Sequence, residues 1–174
     1  MTDLPVYHVN GKVETFEPNN LGYLHFIKID HEIAEALFFN NTRRILLTDG
    51  IIAPLHMSIS KNKDFYFILI SKDLLKQFKK KPGDLLSLQI QSDRSEYGYP
   101  LPEEFAAIFE YDDEARVWFE KLTPGNQRNL IRAIMIVKSD QLRAEKSLIM
   151  MEHLKRQKGK VDYKLLREDM KSGR

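Results

Sequence analysis

Apolar and polar positions fall into short β-rich runs through the first hundred residues and then recur at helical spacing, so the chain reads as a strand-rich part followed by a helical part. Residues 6–16 and 22–29 have strand composition, and Asp30 stands where an N-cap opens the short helix HEIAEALF. Residues 43–48 return as a strand. Asp49-Gly50 before IIAPLHMSI predicts a hairpin, because both central residues of a type I′ turn need positive φ. A turn at Asn62 to Asp64 leads into the strand FYFILI; Ser71 caps the helix KDLLKQF, and Pro82-Gly83-Asp84 turns the chain into a last strand, LLSLQI.

Sliding the chain over itself by 41 positions superposes Ile29 on Ile70, Asp30 on Ser71, Ile33 on Leu74, Leu37 on Phe78, Ile45 on Leu86 and Leu47 on Leu88. Each copy reads strand, short helix, strand. Neither copy can bury its apolar faces alone, so the two are expected to close on each other as a small closed or partly split barrel. Two prolines and a glycine in 95–102 stop both strand and helix, which divides the chain into a β-barrel domain at 1–94, a linker at 95–102 and a helical domain at 103–174.

The helical part predicts LPEEFAAIFEYD and DDEARVWFEKL as two short amphipathic helices. Thr123-Pro124 then supplies an N-cap and a proline at the first helical position. Leu130, Ile131, Ile134 and Val137 share one face of the helix that follows. Asp140 is placed as the cap of the next, with Ala144, Leu148 and Met151 as its apolar stripe. Gly159 ends that helix, and Asp162 caps a final turn or two.

Composition limits the chemistry. With 43% hydrophobic and 30% charged residues the chain can fold around a core, and the net charge of +2 leaves only local patches to consider. No cysteine is present, which excludes disulfides, thiolate metal ligands and a thiol nucleophile. The start, Met1 to Pro5, has no basic and apolar leader, and no apolar run approaches the ~18 residues of a membrane span, so the expectation is a cytoplasmic protein without membrane insertion.

His31-Glu32-Ile33-Ala34-Glu35 resembles half of a zincin helix, but Glu35 stands where the second histidine belongs, and a solvated helix face is the better reading. The five histidines lack metal-ligand spacing, no serine sits in a nucleophile elbow, and the glycines form no phosphate loop. Accordingly no catalytic, metal or cofactor-binding residue is nominated, no cofactor is expected, and the chain is read as non-enzymatic.

Charge is the one departure from the ordinary. Residues 101–120 hold seven acids against one base, whereas 121–174 hold fourteen bases against six acids. Two readings follow: the basic helices neutralise the acidic ones, which is favoured, or they bind an anion. Arg128, Arg132, Lys138, Arg143 and Lys146 are the candidates for binding an anion or a partner. Arg143 lines up with Ser147, Met150 and Leu154 on a partly apolar row and therefore calls for a carboxylate. Arg128 and Arg132 should face water. Lys79-Lys80-Lys81 reads as a solvated helix end.

Leu101, Pro102, Phe119, Leu122, Thr123, Pro124, Lys138 and Arg143, in that order and spacing, resemble the bacteriocin-protection, YdeI/OmpD-associated family. Many of its members carry A-K, then T-R, then a second arginine. Here Val137-Lys138, Leu142-Arg143 and Lys146 stand instead. The preceding part, with Pro82-Gly83-Asp84 between helix and strand, resembles the domain of unknown function nineteen-oh-five, a double-split β-barrel. The barrel type is similar to that of small bacterial transcription switches, a likeness of fold that does not transfer DNA binding.

The resemblance implies a bacterial, non-secreted protein connected with bacteriocin protection or with an outer-membrane porin, and it brings no catalytic residues. The fold expected is α+β: a small pseudo-symmetric, double-split β-barrel with short helices, then a C-terminal helical bundle. The function expected is a binding or interaction protein in a bacteriocin-protection or stress setting. It would use the crevice between its two parts or the basic helices from Arg128 to Lys160, with a protein or an anionic ligand as partner. A nucleic-acid-binding protein is the alternative, and an enzyme a distant third. An interaction protein should also expose a sizeable apolar patch.

Overall fold

The structure, a computed structural model, describes residues 4–16 and 25–173. Two compact units divide between Arg94 and Ser95.

The first unit contains strands β1 (Tyr7–Lys12), β2 (Glu14–Thr15), β3 (His25–Ile29), β4 (Arg44–Thr48), β5 (Leu55–Lys61), β6 (Tyr66–Ile70) and β7 (Leu85–Ser92). Helix α1 (His31–Leu37) lies between β3 and β4, and α2 (Lys72–Gln77) between β6 and β7. All strand pairs are antiparallel, in the order β1-β7-β4-β5-β6-β3-β2. The two edges of that row are consecutive pieces of one bent strand, so the sheet forms a nearly closed barrel. Val13 sits buried at the bend, where its N–H bonds to the carbonyl of Asp84 and its own carbonyl accepts from Gly83. Inward alternation on β7 (Leu86, Leu88, Ile90) and β4 (Ile45, Leu47) builds the interior with Val9, Ile27, Ile59 and Ile68, while Leu37, Leu74 and Phe78 from the helical segments join the same core.

The internal repeat is present. β3 pairs with its counterpart β6, and β4 pairs with its counterpart β7, as a twofold relation between copies requires. The bridging strands obey the same relation: β1 to β2 runs along β7 and then β3, and β5 runs along β4 and then β6. Each copy is therefore bridging strand, strand, helix, strand. Phe26 on β3 and Phe67 on β6 turn outward and pack with Phe16 and Phe65, so β6 is apolar on both faces, while β3 carries exposed Lys28 beside Phe26.

Two local expectations change, and a third is seen only in part. Strand 22–29 is seen from His25 on, and residues 22–24 lie outside the described residues. Asp30 occupies the N-cap position of α1 without a side-chain capping bond, whereas Ser71 accepts from the N–H of Leu74. Asp49-Gly50 does not form a two-residue hairpin. The Asp49 carboxylate accepts the N–H groups of Ile51 and Ile52, and the chain takes a wider loop before β5. The tight turn with two positive φ values lies instead at Asn40 (47°) and Asn41 (58°), closed by reciprocal hydrogen bonds between Phe39 and Thr42.

The second unit is a C-terminal helical region: α3 (Glu103–Tyr111), α4 (Asp113–Glu120), α5 (Pro124–Met135), α6 (Asp140–Arg156) and α7 (Tyr163–Ser172). Asp112, Thr123, Ser139 and Asp162 cap α4 to α7 with side-chain oxygens. Ser139, not Asp140, thus caps α6, and Asp140 is its first residue. Phe105, Phe119, Leu130, Ile131, Ile134, Met151 and Leu154 form the core. On α6 the buried row runs through Ser147, Met150 and Leu154, while Ala144 and Leu148 are exposed. Residues 95–101 are packed onto this core through Tyr97, Tyr99 and Leu101, with Tyr97 edge-on to Phe119.

Candidate functional site

Arg143 is half-buried on α6. Its Nε donates to Glu104 Oε1 at 2.7 Å, its second terminal nitrogen lies 2.9 Å from Asp140 Oδ1, and its other terminal nitrogen reaches the Val137 carbonyl. The hydrogen bond that Arg143 donates to Glu104 holds the guanidinium above its ordinary pKa. Burial pushes the Glu104 carboxyl up, but the hydrogen bond and charge of Arg143 outweigh it and leave the acid below its usual range. Lys155 repeats the arrangement about three turns further along α6: its Nζ lies 2.8 Å from Asp112 Oδ2 and also bonds Glu152. The hydrogen bond with Lys155 is the main cause of the lowered Asp112 pKa, and Asp112 in turn is the main cause of the raised Lys155 pKa.

The acidic and basic segments are therefore joined at two points. Arg143 is engaged in tying α6 to α3. Arg128, Arg132, Lys138 and Lys146 make no ion pair among the described residues; Arg132 and Lys138 are exposed, and Arg128 and Lys146 are partly so. No hydrogen bond or ion pair joins the five nominated side chains to one another.

The histidines are held separately. His25 bonds Thr15, His56 lies 3.0 Å from Asp93, and His31 lies 3.8 Å from Glu35. Buried His153 lies 2.9 Å from Asp169, whose carboxyl is held below its usual range by that bond first, against the opposing effect of burial, with help from Arg156. Among the described residues no three His, Asp or Glu side chains are grouped to hold a metal ion.

A broad concavity in the second unit lies elsewhere, on the acidic helices. Ala106, Phe109 and Glu110 share one face of α3; Asp113, Arg116 and Glu120 share one face of α4; the segment Ser95 to Leu101 forms the third wall. Together they enclose a groove of about 700 Å³. Tyr97, Tyr99 and Phe109 supply its rings, and Glu96, Glu110, Asp113 and Glu120 its carboxylates. The one base in the wall, Arg116, already donates to Glu120 at 2.8 Å. Burial first, and then the charge of Glu96, pushes the Tyr97 phenol above its ordinary pKa, so at neutral pH it remains a hydrogen-bond donor.

Sequence reasoning assigned these acids to helix dipoles and internal neutralisation. Residues 95–101, read as a linker, carried no signal that they would wall a groove. Phe109 and Glu110, three and four places after Ala106, were the readable part.

A smaller apolar hollow lies between α3 and α6, lined by Ala107, Ile108, Ala144 and Leu148 with Glu103 and Glu104 at its edge. Exposed Tyr111, Ile136, Leu142 and Leu148 add to the apolar surface of this unit.

Residues 99–157, about a third of the chain, match the family model described as Bacteriocin-protection, YdeI or OmpD-Associated. The matched stretch contains α3 to α6, the Glu104–Arg143 and Asp112–Lys155 pairs, and the groove except for its first few residues. No curated protein and no solved structure matches the chain.

Proposed function

We propose that the chain is a non-enzymatic binding protein of the bacteriocin-protection kind, and that the groove beside Tyr97 and Phe109 receives a cationic, partly apolar peptide segment. The observation that carries this reading is the pairing of three aromatic rings with four carboxylates whose one neighbouring base is already engaged. Rings and carboxylates together favour ammonium or guanidinium groups on a short apolar backbone. An exposed ion pair contributes only about 0.2–1 kcal/mol, so binding requires several such contacts at once together with burial of an apolar side chain. The family match over 99–157 supports the class of function, since the groove's lining from Tyr99 to Glu120 lies within it.

The barrel is read as the nineteen-oh-five type and the protein as cytoplasmic. No helix among the described residues is long and apolar enough to cross a membrane.

The test is a titration of the full chain, labelled with nitrogen-15, with a capped peptide alternating lysine and phenylalanine, and in parallel with its glutamate counterpart. Saturable shifts at Tyr97, Tyr99, Glu110 and Arg116 with the lysine peptide alone support the reading. Equal response to both peptides, or shifts confined to other surfaces, removes it.

A second reading, nucleic-acid binding, draws on Arg128, Arg132, Lys138 and Lys146, which carry no ion pair among the described residues. It predicts affinity that falls steeply as salt rises from ~50 to ~200 mM.

A further inference from the structure

A second hollow, of about 630 Å³, opens in the barrel unit between the end of α1, the Asn40–Asn41 turn and the start of β6. Glu35, Phe38, Asn40, Asn41, Arg43 and Tyr66 line it. Glu35 and Arg43 share this cavity, yet no ion pair joins them. Each is held by something else. The Tyr66 hydroxyl donates to Glu35 Oε1, and Lys61 Nζ in turn donates to the Tyr66 oxygen at 3.2 Å. The guanidinium of Arg43 lies over the rings of Phe38 and Tyr66, at 5.4 and 5.8 Å from their centroids, and donates no hydrogen bond within the described residues. Tyr66 is itself buried in the barrel core, so the clamp on Glu35 is anchored in the close-packed interior of the unit.

An acid and a base held apart across a hollow, each with open valence, present complementary ends to a ligand that carries both charges. We propose that this cavity binds a small zwitterion of the α-amino-acid type. Its carboxylate is received by the planar N–H edge of Arg43, its ammonium group by Glu35 Oε2, and an apolar side chain lies along Phe38. The Asn40 and Asn41 amides stand at the rim and can complete the carboxylate's hydrogen bonds. Tyr66 acts as a positioning residue: it keeps Glu35 from swinging to Arg43 and closing the site on itself. The site lies in a different unit from the acidic groove and does not depend on it.

The probe is L-phenylalanine, titrated into the labelled full chain beside 3-phenylpropionate and phenethylamine, which each keep one charge. The amino acid is expected to bind at least about tenfold tighter than either, with shifts centred on Glu35, Asn41, Arg43 and Tyr66. Arg43→Gln and Glu35→Gln should each cost about tenfold, and the amino acid should then bind no better than the single-charge analogue that the remaining residue serves. Tyr66→Phe keeps the ring and should also weaken binding, by freeing Glu35 to pair with Arg43; a nuclear Overhauser contact or a shifted Arg43 Nε resonance reads that pairing directly. Equal binding of the three probes, no binding of any at millimolar concentration, or unchanged affinity in correctly folded Arg43→Gln and Glu35→Gln overturns the proposal.

Discussion

Gly11 and Ile27 approach each other inside the barrel so closely that a methyl group on Gly11 would overlap the Cγ2 of Ile27. Gly11 pairs with Leu86 on β7, Ile27 lies on β3, and the bent strand passes from one to the other at this point. Closing the sheet therefore requires a residue with no side chain here. Gly11→Ala should destabilise the protein by about 1–3 kcal/mol, the usual cost of overpacking. Gly125→Ala, in helix α5 where a methyl group meets nothing within 4 Å, should be neutral or stabilising by up to about 1 kcal/mol. Urea midpoints of the two variants check both signs.

Asp112 serves two helices at once. One oxygen caps α4 at the N–H of Ala115, and the other pairs with Lys155 on α6. Asp112→Asn keeps the cap and loses the ion pair; Asp112→Ala loses both and should be about 1 kcal/mol less stable than the asparagine variant. The native pKa of Asp112 is lowered, so its contribution is present above the ordinary carboxylate value and disappears as pH falls through the lowered one. Lys155, with its pKa raised, contributes below the ordinary lysine value and loses that contribution only as pH rises through its native one. Wild type and Asp112→Asn should accordingly converge in stability at strongly acidic pH, which thermal melts across a pH series will show.

Arg143 belongs to the fold. Arg143→Ala leaves Glu104 partly buried without its main partner and should cost about 1–3 kcal/mol, while binding of the lysine–phenylalanine peptide to the groove stays unchanged once the variant is folded. Loss of binding in proportion to a merely modest loss of stability would move Arg143 into the binding machinery.

Duplex DNA should not be retained by the full chain at ~50 mM salt, because the groove of the helical unit is acidic and Arg116, Arg143, Lys155 and Arg156 are committed to ion pairs. Retention at low salt that weakens in Arg128→Ala with Arg132→Ala would establish the alternative reading.

Much of the barrel was legible because strand, helix and strand recur at a fixed offset: β3 and β6 both begin 41 positions apart, as do β4 and β7. The bridging strands were hidden from that comparison. Their registers place Glu14 opposite Phe26 and Ser60 opposite Phe67, an offset of 46, since Thr15 precedes His25 by ten positions but Lys61 precedes Tyr66 by only five. The turn at Asn40-Asn41 was missed because Asp49-Gly50 is the stronger dipeptide signal, yet Pro54 and the bonds to Asp49 favour a wider loop there. On α6, Arg143, Ser147, Met150 and Leu154 form the inward row despite its polar start, because Glu104 offsets the arginine's burial. The groove depends on where residues 95–101 pack, a tertiary fact with no local periodicity. The barrel hollow likewise needs Glu35 and Tyr66, 31 positions apart, to meet where β3 pairs with β6.

Inverting the charge of the groove tests its role most directly. Glu96→Lys combined with Glu110→Lys changes two exposed acids in its wall, and circular dichroism verifies the fold. Calorimetry with the lysine and glutamate peptides should then show the preference reversed, the lysine peptide weakened by at least about tenfold and the glutamate peptide newly bound. A doubly inverted protein that still prefers the lysine peptide with undiminished affinity would contradict the account.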